Sequence, residues 1–237
     1  MITEKIAKNK KVLTISEENK MLATYKREFI TFLESAGVLK FGDFTAKSGR
    51  KIPYFINAGE IKTGDQIAKL GEFYAKSYLD KVGNKRAVLY GPAYKGISIA
   101  VATSIGLSKS GLDVPFFFNR KEAKDHGEGG IFVGYKPTEG EEIVIVEDVI
   151  TAGTAIRESM EILSSLGGAK VIATFVMVDR KEKGKGTKSA MAEVGEEFGF
   201  PVYSVVDVYD IIEYLEENPA HAEDVARIKN YLTVWGA

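Results

Sequence analysis

The run Ile143-Val-Ile-Val146-Glu-Asp148-Val-Ile-Thr151-Ala-Gly-Thr-Ala155 constrains the fold more than any other part of the chain. Four consecutive apolar residues without polar alternation describe a strand covered on both faces, the condition of a parallel sheet lying between helices. The strand ends on two carboxylates. A loop of small side chains then opens into a helical pattern over about 154–166, closed by Gly167-Gly168.

The rest of the chain repeats this alternation. Met21, Leu22, Tyr25, Phe29, Phe32 and Leu33 recur at three- and four-residue spacing and predict a helix over 18–35, stopped near Gly37. Two β-like runs, 38–44 and 52–57, flank the turn-forming Lys47-Ser-Gly-Arg50. Helical pattern returns over 65–82, 96–108, 189–199, 208–217 and 221–232. Apolar strands are predicted over 86–90, 114–118, 171–178 and 202–206, with a polar, glycine-rich segment at 119–134 and a basic loop at 180–188. Alternation of this kind builds a central, mainly parallel sheet flanked by helices, an α/β fold whose ligands bind beyond the carboxyl ends of the strands. Residues 1–17, lysine-rich and weakly periodic, read as an N-terminal extension; 18–237 read as one domain.

Composition removes several function classes. Among 237 residues there is no cysteine, which excludes disulfide frameworks, thiolate metal sites and cysteine nucleophiles. The two histidines, His126 and His221, are far apart, so a metal would take oxygen ligands, which favours Mg2+ or a similar hard cation. Thirty-two basic against 33 acidic residues give a net charge of -1, and no global field favours nucleic acid or an anionic membrane. The longest stretch without charge, Gly96 to Ser108, falls short of the roughly 20 residues a membrane span needs. The N-terminus lacks the apolar core and cleavage site of a secretory signal. A soluble, cytoplasmic protein is expected.

Glu147 and Asp148 follow a buried strand, where charge is costly unless a cation or hydrogen-bond donors meet it. Taken alone, the pair also fits ordinary loop acids in water, with Asp148 tying down backbone. The small residues of 151–155 change the balance: free amide N–H groups, two hydroxyls and the positive end of a helix form a cradle sized for phosphate. Acids suit sugar hydroxyls, so a phosphorylated sugar is the expected ligand. The usual nucleotide fingerprints are missing, since Ile97 stands where a P-loop lysine would be and no G-x-G-x-x-G follows a strand.

Hydrophobics, two acids and a TAGT loop resemble the phosphoribosyl-pyrophosphate motif of the type I phosphoribosyltransferases. Three further segments, Lys47 to Asn57, Gly91-Pro-Ala-Tyr-Lys-Gly96 and Asn119 to Gly129, resemble in order and wording the orotate phosphoribosyltransferase family, over about 41–180 with an echo at 209–215. Glu147 stands where aspartate is also common, and Ile56 where a second aromatic often follows Phe55. The resemblance implies the type I phosphoribosyltransferase fold, with a small N-terminal hood formed largely by 18–60. It implies transfer of ribose 5-phosphate from phosphoribosyl pyrophosphate to orotate, with Mg2+ held mainly through substrate. It also implies a homodimer whose catalytic lids are shared between subunits.

Residue by residue, the resemblance places Lys121, Lys124, His126 and Asp148 in catalysis. Phosphoribosyl pyrophosphate would be met by Lys47, Tyr94, Lys95, Arg120, Lys121, Lys124, His126, Glu147, Asp148 and the loop Val149, Ile150, Thr151, Ala152, Gly153, Thr154 and Ala155. Orotate would be met by Phe55, Ile56, Thr151 and Arg180. Physical reasons support parts of this assignment. Fixed cations near a leaving pyrophosphate stabilise the transition state more than the ground state, and the glycines around 127–130 let a lid close. Arg180 follows a strand end, and its planar fork suits a carboxylate. His221 has no partner motif and reads as structural. The alternatives are a purine phosphoribosyltransferase, which would share the loop but neither hood motif nor lid, and a phosphoribosyl-pyrophosphate sensor that regulates, for which a basic face is expected.

Overall fold

The computed structural model describes residues 22–46, 49–124, 130–150, 152–184 and 186–237. The predicted extension 1–17, Lys47, His126 and Thr151 lie outside the described residues, and so does the side chain of Lys124.

Helix α1 (Thr24–Ser35) is followed by an antiparallel pair of its own, β1 (Leu39–Thr45) and β2 (Lys51–Ile56). Then come α2 (Gly64–Lys81), β3 (Val88–Gly91), α3 (Lys95–Lys109), β4 (Phe116–Lys124), β5 (Gly130–Gly134), β6 (Glu142–Val146), α4 (Thr154–Leu163), β7 (Lys170–Asp179), α5 (Ala190–Phe198), β8 (Val202–Asp207), α6 (Val208–Glu216) and α7 (Ala222–Trp235). The main sheet runs β5-β4-β3-β6-β7-β8, all neighbours parallel except β4 with β5. Among the described residues, no helix is long and apolar enough to cross a membrane.

Two apolar layers explain the unbroken strand runs. Leu89, Val144 and Val146 face a core built with α1, α2, α3 and α6, while Val88, Tyr90, Ile143 and Ile145 face a second core with Ile156 and Leu163 of α4 and Val194 of α5. Successive side chains alternate across the sheet, so both faces demand hydrophobic residues.

The polar, glycine-rich segment 119–134 carries strand at both of its described ends. β4 continues to Lys124, and β5 returns beside it with Phe117 opposite Gly134, Asn119 opposite Phe132 and Lys124 opposite Gly130. Ladder hydrogen bonds come from backbone, so a strand at the sheet's margin needs no apolar run to pair. Residues 180–188 depart from a free loop, since Glu182 bridges to Gly236 and Lys183 to Ser189.

α2 and α3 approach backbone to backbone: a Cβ on Gly71 would lie 2.3 Å from the Ala102 carbonyl oxygen. Helix propensity alone predicts that Gly71→Ala stabilises the protein by about 1 kcal/mol. The close approach reverses the sign, and a net loss of roughly 1–3 kcal/mol is expected in urea denaturation. A more stable variant would show that the helices separate at little cost.

Candidate active site

The end of β6 is tied down on every side. Glu147 N–H donates to Phe175 O at 2.9 Å and Met177 N–H to Asp148 O at 2.9 Å, so β7 carries the ladder past the end of the apolar run. The buried hydroxyl of Tyr74 donates to Glu147 O at 2.7 Å. Both acids are buried. Asp148 uses one carboxylate oxygen to accept from Val149 N–H at 2.8 Å, and the other lies 2.6 Å from Lys95 Nζ. The backbone-tying role and the charged role, rivals on sequence grounds, thus fall to different oxygens of one side chain.

Glu147 Oε1 accepts from Asp148 N–H at 2.9 Å. Burial pushes the Glu147 carboxyl up from its ordinary 4.5 to about 8; that hydrogen bond opposes the shift and repulsion from Asp148 adds to it. Between these pH values the folded chain holds a proton that the unfolded chain releases, so stability falls as pH rises through the window. Glu147→Gln removes the titration. Wild-type stability relative to this variant is expected to decline from about pH 4.5 to about 8 in denaturation curves across that range. Parallel profiles would show an ionised carboxylate throughout.

The loop after the acids encloses a cavity of about 300 Å³ lined by Val149, Ile150, Gly153, Thr154, Ala155, Ile156 and Glu158. Gly153 is the N-cap of α4 with φ 74°, and among the described residues no side-chain cap hydrogen bond is made there, so the first amide N–H groups of the helix lack a capping acceptor. A Cβ on Gly153 would lie 2.6 Å from Val194 Cγ2, so both conformation and space demand glycine. Ala152 O accepts from Arg157 Nη1 at 2.7 Å.

β3 ends in the turn that carries Tyr94 and Lys95. Tyr94 is 69% exposed, and the Lys121 ammonium sits 5.2 Å from its ring centroid. Buried Asn119 joins this turn to β4, its Oδ1 accepting from Tyr90 Oη at 2.8 Å and from Ala93 N–H at 3.0 Å. Arg120 Nη1 donates to Gly130 O at 3.1 Å across the β4–β5 arm. Sequence reasoning gave Asn119 no role, because its partners come from another strand.

Arg180, at the end of β7, lies with its guanidinium 4.9 Å from the Tyr54 ring centroid and its Nη2 2.6 Å from Glu182 Oε1. Its buried Nε and Nη2 have no aligned hydrogen-bond acceptor within the protein. Ile56 shares the Tyr54 face of β2, whereas strand alternation turns Phe55 to the opposite face, 37% exposed and stacked on Phe44 at 5.5 Å. The structure therefore brings Lys95 to Asp148 and Lys121 to Tyr94, but sets Phe55 apart from the Tyr54–Arg180 stack. His221 lies 3.2 Å from Asp224 and edge-on to Phe41, the cross-strand partner of Tyr54.

Comparison with known proteins agrees with this geometry. A family model described as "Phosphoribosyl transferase domain" matches residues 57–202. The orotate phosphoribosyltransferase of Clostridium beijerinckii is 46% identical over 223 residues, covering 91% of this chain and 100% of that protein. That of Shigella flexneri is 50% identical over 216 residues, covering 91% and 100%. The crystal structure of the Francisella tularensis orotate phosphoribosyltransferase superposes with a TM-score of 0.79 at 38% identity, covering 89% of this chain and 100% of that one. With acids, a small-residue loop at a helix start and cations gathered at one sheet edge, and relatives matched over their full length, the chain belongs to the orotate phosphoribosyltransferase family.

Proposed function

We infer that the protein transfers ribose 5-phosphate from phosphoribosyl pyrophosphate to N1 of orotate, giving orotidine 5′-phosphate and pyrophosphate in pyrimidine biosynthesis. One observation carries the reading. The ends of β3, β4, β6 and β7, all on the carboxyl edge of parallel strands, bring Lys95, Lys121, the Glu147–Asp148 pair and Arg180 to the same rim as the 149–155 cradle.

In this reading the cradle binds the 5-phosphate, while Asp148 and Glu147 face the ribose hydroxyls. Tyr94, Lys95, Arg120 and Lys121 meet the pyrophosphate, joined by Lys47, Lys124 and His126. As the bond at the anomeric carbon breaks, positive charge grows on the sugar and negative charge on the leaving group. The Asp148 carboxylate and the cations, on opposite sides, stabilise both, while Glu147 in its protonated form donates or accepts a hydrogen bond at the ribose; no covalent nucleophile is required. Among the described residues no group of three or more His, Asp or Glu could hold a metal. The hard carboxylate oxygens present fit Mg2+ arriving with the diphosphate, whose charge the ion would neutralise. The pyrimidine is read against Ile56 and Thr151 with its carboxylate on Arg180, and Phe55, which turns to the other face of β2, would meet the ring only from the rim of the hairpin. We place the enzyme in the cytoplasm as a homodimer with shared lids, its hood drawn largely from 18–60.

The test is turnover with phosphoribosyl pyrophosphate, Mg2+ and a panel of orotate, uracil and purine bases. Product from adenine or hypoxanthine and none from orotate would overturn the reading in favour of a purine enzyme. No product from any base would point to a sensor. Orotate differs from uracil by one carboxylate, and a charge-assisted hydrogen bond to it contributes roughly 1.5–3 kcal/mol, or about ten- to a hundredfold in affinity. Arg180→Ala is expected to weaken orotate binding by that order and to leave phosphoribosyl pyrophosphate binding nearly unchanged. Equal losses for both ligands in a titration, or none, would remove Arg180 from the orotate site.

A further inference from the structure

The segment Arg180-Lys-Glu182-Lys-Gly-Lys-Gly-Thr-Lys188 contains one acid among five further cations, and that acid faces inward. The Glu182 side chain is only 10% exposed. Its Oε2 accepts from Arg50 Nη2 at 2.5 Å, its Oε1 lies 2.6 Å from Arg180 Nη2, and Tyr54 Oη donates to Oε1 at 3.4 Å. Arg50 precedes β2 and is itself sandwiched, 4.7 Å from the Trp235 ring and 5.7 Å from Tyr231.

The backbone beneath Glu182 is held as firmly. Lys183 N–H donates to Trp235 O at 2.9 Å and Ala237 N–H to Lys181 O at 2.8 Å, so residues 181–183 pair with the chain that leaves α7. One carboxylate thus joins three elements: the β1–β2 hairpin through Arg50 and Tyr54, the end of β7 through Arg180, and the segment following α7 through its own backbone. Without it, two guanidinium groups would share a poorly hydrated pocket with no compensating anion.

We propose that Glu182 is a positioning residue for orotate recognition: it holds the Arg180 fork toward the substrate carboxylate and fixes the hairpin against it through Arg50. This rests on the reading of Arg180 as the orotate-carboxylate ligand. In this proposal Glu182 fixes the guanidinium through Nη2, and the orientation so set decides which nitrogen meets the substrate carboxylate.

Glu182→Gln keeps the size and one acceptor oxygen but removes the charge. We expect the KM for orotate to rise roughly tenfold, with the KM for phosphoribosyl pyrophosphate within a factor of about two. In an Arg180→Ala background the same change should add nothing to the orotate KM, because the residue it positions is gone. A merely structural latch predicts otherwise: a lower Tm, both KM values moved together, and an additive loss in the double variant. Any of those kinetic results overturns the proposal. If Arg180→Ala raises the orotate KM and Glu182→Gln does not, only the role of Glu182 falls. If neither does, the Arg180 reading falls as well. Should Glu182→Gln fold poorly, Arg50→Met keeps Glu182 and its contact with Tyr54, retains an apolar side chain against Trp235, and removes the Arg50 half of the hairpin link; a selective rise in the orotate KM supports the proposal, and unchanged kinetics overturn it.

Discussion

Asp148→Asn is expected to lower turnover by roughly a hundred- to a thousandfold, the scale on which a single preorganised electrostatic contact acts. The side chain is buried, and the structure divides its two oxygens between backbone and Lys95. Asparagine keeps an acceptor for Val149 N–H, so the loop geometry survives. It loses the negative charge that balances Lys95 and that would face the developing positive charge on the sugar. The change should therefore appear mainly in kcat, with the far-UV spectrum and Tm close to wild type. Steady-state rates across a phosphoribosyl pyrophosphate titration check this. Turnover near wild type would take Asp148 out of the chemistry and leave it only its backbone role.

A loss of about a hundredfold or more is likewise expected from Lys124→Ala, since negative charge builds on the departing pyrophosphate and the Lys124 ammonium would offset it. Folding should hardly change if Lys124 serves the chemistry alone, since substitutions away from core, caps and buried networks usually move stability by less than about 0.5 kcal/mol. Lys124 ends β4 opposite Gly130, at the tip of a strand pair that extends beyond the parallel sheet. Under the proposed homodimer with shared lids, this arm would carry the lid to the neighbouring subunit. Mixing the Lys124→Ala and Asp148→Asn chains should then restore about a quarter of wild-type activity, because half the dimers are mixed and each mixed dimer has one intact composite site. No recovery in demonstrably mixed dimers would mean that each chain supplies its own lid.

The acid pair and its cradle were legible because their chemistry is contiguous. A buried strand, two carboxylates and a small-residue loop follow one another within 143–155, and a strand with helices on both faces needs no knowledge of distant residues to be recognised. The alternation of strand and helix was legible for the same reason, since each run's periodicity is written in its own side chains. The continuous apolar runs also disclosed that both sheet faces are covered, which the two separate cores bear out.

The β4–β5 arm was not legible, because backbone pairing at a sheet margin leaves little mark on side-chain hydrophobicity. Nor were the partners of Asn119 and Glu182. Arg50 and Glu182 are 132 residues apart, and a lone acid in a basic run looks like any solvated charge until the chain folds. Local order and the placing of two acids and a small-residue loop at a strand end were thus determined by the sequence, through side-chain periodicity and composition acting over a few residues. Tertiary structure alone decided which of the charged residues became buried partners. Desolvation turns an ordinary surface carboxylate into one that must find cations, and which cations it finds depends on crossovers that bring distant strand ends together.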